Sequence, residues 1–304
     1  MGRPWKLALG IGIVLAIAVW DVGLPGRHAP VTSTAAQSSP SASASSPSVS
    51  APTTPEVPDV PGVLHPTGAP EFTATFTGSK LDRSVWDTCY PFYPWLHQSG
   101  CKNFGNREES EWYLPSQDKV SDGELHLVAK RERTAGTTNT GSPKEYYCRS
   151  GMITSYPGLR FKYGYVQIVA NIPASTGLWP ALWLRPPTVD WRPEIDILES
   201  WGGGTTEFAG SYFHAISGPV KAPSYDKELY QPASRVAGWH TFALSWTKTQ
   251  ITWLVDGKVT LTVRKMVPHQ QMYIVANLAA YKPVGPKNPC SGQLLIRSVK
   301  VWKS

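Results

Sequence analysis

The chain has 304 residues, a net charge of +7, 41% hydrophobic and 17% charged residues, 13 Trp, 28 Pro and four Cys. So many aromatic residues supply a core and exclude full disorder, and the many Gly and Pro exclude a coiled coil. One apolar run alone approaches spanning length, which excludes a polytopic membrane protein.

That run opens the chain. Arg3 and Lys6 precede the apolar stretch Leu7 to Trp20, the pattern of a secretory signal or an uncleaved signal anchor. Residues 1–27 are assigned to it, so the remainder is expected to be secreted, or held at the outer face of the membrane if the segment is retained. From Val31 to Pro55 all but three residues are Ala, Ser, Thr or Pro. Such a segment buries too little apolar surface to offset its ordering entropy, and 28–67 reads as a linker. The folded domain is expected over 68–304, as a monomer. Two Trp fall in the leader and eleven in the domain.

Within the domain the elements read as strands and turns. Gly123 to Glu132 alternates apolar and polar residues, and Arg160 to Pro173 does the same. His240 to Val263 reads as two strands followed by a hairpin at Asp256-Gly257. Gly292 to Trp302 is a closing strand. No stretch sustains a helical period. Many short antiparallel strands and no central linker predict an all-β sandwich or jelly roll.

The four Cys suit an oxidising compartment and allow three pairings. Cys89 and Cys101 enclose a short loop rich in Pro and aromatics, so they are paired. That leaves Cys148 with Cys290. A metal site is the rival, but there is no C-x-x-C and no nearby His pair. Lys and Arg are scattered rather than clustered, so the charge does not predict nucleic-acid binding.

The chemistry concentrates in Trp191 to Gly203, "WRPEIDILESWGG". Alternate residues of a strand share a face, so Glu194 and Asp196 point the same way. Glu199, five positions from Glu194, would point the other way unless one extra residue intervenes. A β-bulge at Ile197-Leu198 would restore it to the same face. Acids alternating with isoleucines also fit a half-solvated strand, and clustered oxygens suit calcium. Glycoside hydrolysis is the use that needs both an ionised and a protonated carboxyl flanking one bond. Even with the bulge, four effective strand steps would set the two glutamate backbones about 13 Å apart. Curvature and inward-leaning side chains would be needed to bring the carboxyls within the roughly 5 Å of a retaining pair. Upstream, Trp179 and Trp183 share one strand face, and Trp201 follows the acids. Such rings stack on sugar faces, or pack in a core.

These residues resemble glycoside hydrolase family 16. "EIDILE" is similar to the family signature E-[ILV]-D-x-x-E in its bulged form. "FTGSKLDRSVWD", "VSDGELHLVAKRE", "SGMITS", "YGYVQIVANIPASTGLWPALWL", "GWHTFALSWTKTQITWLVDGK" and "IVANLA" find family counterparts in the same order. The resemblance implies a concanavalin-like jelly roll of two antiparallel sheets with a concave cleft. It implies Glu194 as nucleophile, Glu199 as acid and base, Asp196 as the assisting carboxylate, and a retained anomeric configuration. It implies sugar contacts from Trp179, Trp183 and Trp201, and cleft positions for His214 and Asn277. No cofactor and no catalytic metal is implied, and a structural calcium is not legible.

The sequence departs from the family at Arg107-Glu108-Glu109, at Ala280 to Pro283 and in the aromatic loop from Cys89 to Cys101. The bulged motif resembles the β-1,3-glucanase and marine galactanase branches. The expectation is therefore a retaining endo-glycosidase acting on β-1,3- or mixed β-1,3/1,4-glucan. The alternatives are a hydrolase or transglycosylase of another β-linked polysaccharide, galactan or an acidic cell-wall glycan, and a lectin-like binding module.

Overall fold

Two sheets, antiparallel but for one parallel edge pair, lie on either side of an aliphatic and aromatic core and account for nearly all regular structure. The computed structural model describes residues 56–88, 90–91, 109–138, 141–187, 192–200, 208–217, 224–230, 237–281, 284–285 and 288–304. For 208–217 and 224–230 it describes backbone pairing. The leader and most of the linker lie outside these residues.

The strands are β1 (Phe72–Thr75), β2 (Glu111–Tyr113), β3 (Asp118–Ser121), β4 (Glu124–Thr137), β5 (Pro143–Ser150), β6 (Met152–Thr154), β7 (Gly164–Ile172) and β8 (Leu178–Arg185). They continue as β9 (Glu194–Ser200), β10 (Phe208–Ser217), β11 (Ser224–Tyr230), β12 (Gly238–Trp246), β13 (Ile251–Val255), β14 (Lys258–Val263), β15 (Tyr273–Ala280) and β16 (Ser291–Trp302). A single 3-10 turn, Pro115–Gln117, is the only helical element among the described residues. The larger sheet runs β14-β13-β12-β7-β16-β4-β5-β2, with β1 on β16 and β3 on β4. The smaller runs β11-β10-β9-β8-β15-β6. This is the all-β two-sheet sandwich expected from the sequence.

Period-two patterning explains the layers. On β4, Leu125, Leu127 and Ala129 are buried while Glu124, His126 and Val128 are only partly so. On the smaller sheet, Leu182, Leu184, Ile195, Ile274, Ala276 and Leu278 enter the core between the sheets. A second apolar cluster, Tyr113, Met152, Ala181, Trp183, Tyr273 and Val275, lies on the sheet's other face. Both faces of β8 and β15 are therefore covered. The Asp256-Gly257 turn joins β13 and β14 with both residues at positive φ, 48° and 76°, as a two-residue hairpin requires. Cys148 and Cys290 form the expected disulfide, tying β5 to the approach of β16. Cys89 and Cys101 lie outside the described residues.

The packed region begins earlier than composition suggests. Composition places residues 56–67 in the linker, yet Val63 is buried and Val57 and Leu64 pack against Tyr165, Ala243 and Leu254. The Leu64 N–H donates to Ser245 Oγ at 2.8 Å. Gln250 donates to the Pro61 carbonyl, and Trp302 donates to that of Gly68. Three short apolar side chains and these bonds anchor a stretch that its prolines made look like a spacer.

Candidate active site

The three acids lie on β9, in the middle of the smaller sheet. On the β10 side Phe213 pairs with Glu194 and Ala209 with Glu199, so β9 uses one more residue than β10 over this interval. On the β8 side the register slips between Leu182, opposite Leu198, and Trp183, opposite Asp196. Ile197 is the residue left over. Ile195, Ile197 and Leu198 are all buried in the core between the sheets. Glu194, Asp196 and Glu199 therefore share the opposite face, through a bulge at the adjacent aliphatic pair where the sequence expects it. Glu194 is partly exposed, while Asp196 and Glu199 keep 2% and 8% of their surface. From the core side, the Trp253 indole donates to the Asp196 carbonyl at 2.7 Å.

The neighbouring β8 brings its odd-numbered residues to the same face, because Ala181 pairs with Glu199 and Trp183 with Asp196. Trp179 is half-buried and donates its indole N–H to Glu199 Oε1 at 3.2 Å. Its ring meets Tyr281 edge-on, with centroids 5.8 Å apart. Gly177, at φ +83°, makes this entry possible. A Cβ there would stand 2.5 Å from the Asn288 Cβ, and its carbonyl accepts the Tyr281 N–H at 2.7 Å. Arg185 continues the row one position past the Leu184–Ile195 pair, which sets it in line with Glu194. Arg185 is 2% exposed, and its guanidinium lies over the Tyr90 ring.

Trp183 is more enclosed than a sugar platform, at 9% exposure. Its indole donates to Asn277 Oδ1 at 2.7 Å, and Asn277 Nδ2 donates to the Tyr113 hydroxyl at 3.0 Å. The direction is forced. An indole only donates, so the amide oxygen faces Trp183 and the amide nitrogen faces Tyr113. The Tyr113 hydroxyl therefore accepts, and Glu111 lies two positions before it on β2. Glu111 is wholly buried, and its Oε2 also accepts the Ala280 N–H at 2.7 Å. Burial pushes the Glu111 carboxyl above the usual range. The Ala280 N–H and the side chains of Glu109 and Tyr113 oppose that shift only in part. Burial, then the charges of Glu111 and Glu109, push the Tyr113 phenol well up.

The structure thus brings together Glu194, Asp196, Glu199, Trp179, Trp183 and Asn277. Trp201 lies outside the described residues. The His214 backbone pairs with Asp226 of β11, and Phe213 rather than His214 is the β10 position opposite Glu194. The sequence pattern assigns no site role to Glu111, Tyr113 or Arg185, and it reads Trp253 only as a core residue. Arg185 carried a signal, since it shares the odd parity of Trp179 and Trp183 inside an apolar run. Among the described residues no group of three or more His, Cys, Asp or Glu is arranged to hold a metal ion.

Residues 107–284 match the family model described as glycosyl hydrolases family 16. The chain is 30% identical over 239 residues to the endo-1,3-1,4-beta-glycanase EglC of Rhizobium meliloti (strain 1021), covering 74% of this chain and 48% of that protein. It is 28% identical to the glucan endo-1,3-beta-glucosidase A1 of Niallia circulans, covering 70% of this chain and 30% of that one. It therefore spans less than half the length of these curated relatives. The fold is similar to that of the laminarinase catalytic domain from Thermotoga maritima MSB8. That comparison has a TM-score of 0.61 and 21% identity, and covers 77% of this chain and 98% of that domain.

Proposed function

Since the chain belongs to glycosyl hydrolases family 16, we propose that it is a retaining endo-β-glucanase acting on β-1,3- or mixed β-1,3/1,4-glucan. The observation that carries this reading is the bulge, which sets Glu194, Asp196 and Glu199 on one face of one strand. In this reading Glu194 attacks the anomeric carbon and forms a glycosyl-enzyme. Glu199 protonates the leaving oxygen, then takes a proton from the water that releases the sugar. Asp196, between them in the same row of side chains, helps to keep the two carboxyls in different protonation states. Trp179 bonds to Glu199 and so fixes the direction in which that acid faces. Its remaining ring surface suits the C–H face of a pyranose.

The glucan assignment is supported by the relatives EglC and A1, whose names state those linkages. The N-terminal pattern supports export, which suits a polymer too large to enter a cell. A panel of laminarin, lichenan, agarose, carrageenan and arabinogalactan tests the substrate. Reducing ends should appear from laminarin or lichenan with the wild type and not with Glu194→Gln. The first product seen by proton NMR should be the β-anomer. Release from agarose or carrageenan alone would move the substrate to galactans. Equal glucan binding by both proteins, with no release by either, would make the chain a lectin-like module.

A further inference from the structure

We infer that Trp253, on the sheet that carries none of the proposed catalytic groups, is the positioning residue that sets the bulge of β9 and so the spacing of Glu194 and Glu199. The inference rests on the glucanase reading for its kinetic consequence and on geometry alone for its structural one.

In a regular strand every carbonyl lies near the sheet plane and points at a neighbouring strand. A carbonyl of the smaller sheet can meet a donor from the opposite sheet only where its ladder is interrupted. The Asp196 carbonyl does so. It accepts the Trp253 Nε1–H at 2.7 Å, across the core, in a bond between residues 57 apart in sequence. The interruption is there on both sides, as register slips between Leu182 and Trp183 on β8 and between Ala209 and Ser211 on β10.

Each half of the contact needs the other. Trp253 is 1% exposed and its indole can only donate, so a regular β9 would leave a buried N–H without an acceptor. Without the indole, the turned carbonyl would face an apolar core. Ile197 and Leu198 favour a bulge because both are buried, but two aliphatic side chains do not fix which carbonyl turns. The indole does. It acts on the residue midway between the two glutamates, where a slip would carry Glu199 along the strand or off the face.

The test compares two tryptophans. Trp246 is equally buried in the same core, and its indole donates to the Pro268 carbonyl at 3.2 Å, away from β9. Trp253→Phe and Trp246→Phe each remove one buried indole bond, and both should lower the urea midpoint. Only Trp253→Phe should lower kcat, by tenfold or more, with KM within about threefold, since misplacing a catalytic group by about 1 Å costs on the order of a hundredfold. Amide hydrogen exchange over residues 195–199 should rise in Trp253→Phe and stay at the wild-type rate in Trp246→Phe. That second readout needs no substrate, so it still decides the bulge if the wild type cuts no glucan and the glucanase reading fails. If Trp253→Phe does not fold, benzothienylalanine at 253 keeps the bicyclic shape, replaces the N–H by sulfur and should give the same two effects. Equal kcat loss in both variants, or unchanged exchange over 195–199 without the indole N–H, would overturn the inference.

Discussion

Glu111 is a carboxyl placed where a charge is disfavoured, and that gives stability a definite dependence on pH. Its side chain is wholly buried on β2, and desolvation is the largest influence on it, shifting its pKa upward from 4.5. In the unfolded chain the proton leaves near the ordinary value. In the folded chain it is kept to higher pH. Between the two values the folded state binds more protons than the unfolded one, so stability falls as pH rises, by up to about 1.4 kcal/mol per pH unit. Glu111→Gln cannot ionise and still offers an oxygen to the Ala280 N–H. Urea unfolding of both proteins from pH 4 to pH 8 should show the wild type losing ground to Glu111→Gln as pH rises above about 4.5. A difference that stays flat over that range, or that moves in favour of the wild type, would refute the reasoning. The chain of bonds from Tyr113 through Asn277 to Trp183 predicts the effect of Tyr113→Phe. Removing the hydroxyl leaves the buried Asn277 amide without its acceptor, at about 1–3 kcal/mol, and loosens the amide that holds Trp183.

Three further outcomes are expected. Trp179→Phe keeps a ring but removes the donor to Glu199, and kcat/KM should fall about tenfold, roughly 1.4 kcal/mol; an unchanged value would remove Trp179 from the positioning of that acid. Cys148→Ser with Cys290→Ser opens a covalent loop with a sequence separation of 142, and the chain-entropy limit is roughly 5 kcal/mol. A loss of 2 kcal/mol or more in urea unfolding is expected, and less than 1 kcal/mol would show that the loop is held closed by other contacts. His240 bonds to Asp256 at 2.6 Å, and that bond, more than its charge, raises the imidazole pKa. A raised imidazole contributes stability below the unfolded value of about 6.5 and loses it as pH rises through the folded value. His240→Ala should therefore lower the melting temperature more at pH 6 than at pH 9, and an equal loss at both would assign the effect to packing.

The legible part of this molecule is the part carried by local pattern. The Asp256-Gly257 hairpin follows from two residues that accept positive φ, and the sandwich follows from period-two alternation in strands such as β4. The bulge was legible too, because Ile197 and Leu198 are adjacent aliphatics between acids of one parity. The supports of the site were not. Trp253 reads as one more core aromatic until its partner 57 residues upstream is known. Glu111 reads as a surface acid beside Trp112 and Tyr113, yet its acceptor oxygen meets a backbone N–H 169 residues away. The packing of residues 57–64 is hidden in the sequence for a related reason. Composition reports that a Pro-rich stretch can stay extended, and extended chain is also the shape that packs along a sheet, as Val63 and Leu64 do.

The two supports reach the acids from opposite directions and meet in one row of paired positions. The row runs Val275, Trp183, Asp196 and Ser211 across four strands, since each is the register partner of the next. From the core, Trp253 fixes the backbone of Asp196. From the other side, the chain from Tyr113 through Asn277 fixes the indole of Trp183, beside Asp196. A strand with three acids on one face is unfavourable in isolation. It becomes tolerable when rigid, neutral donors on either side hold it in one register.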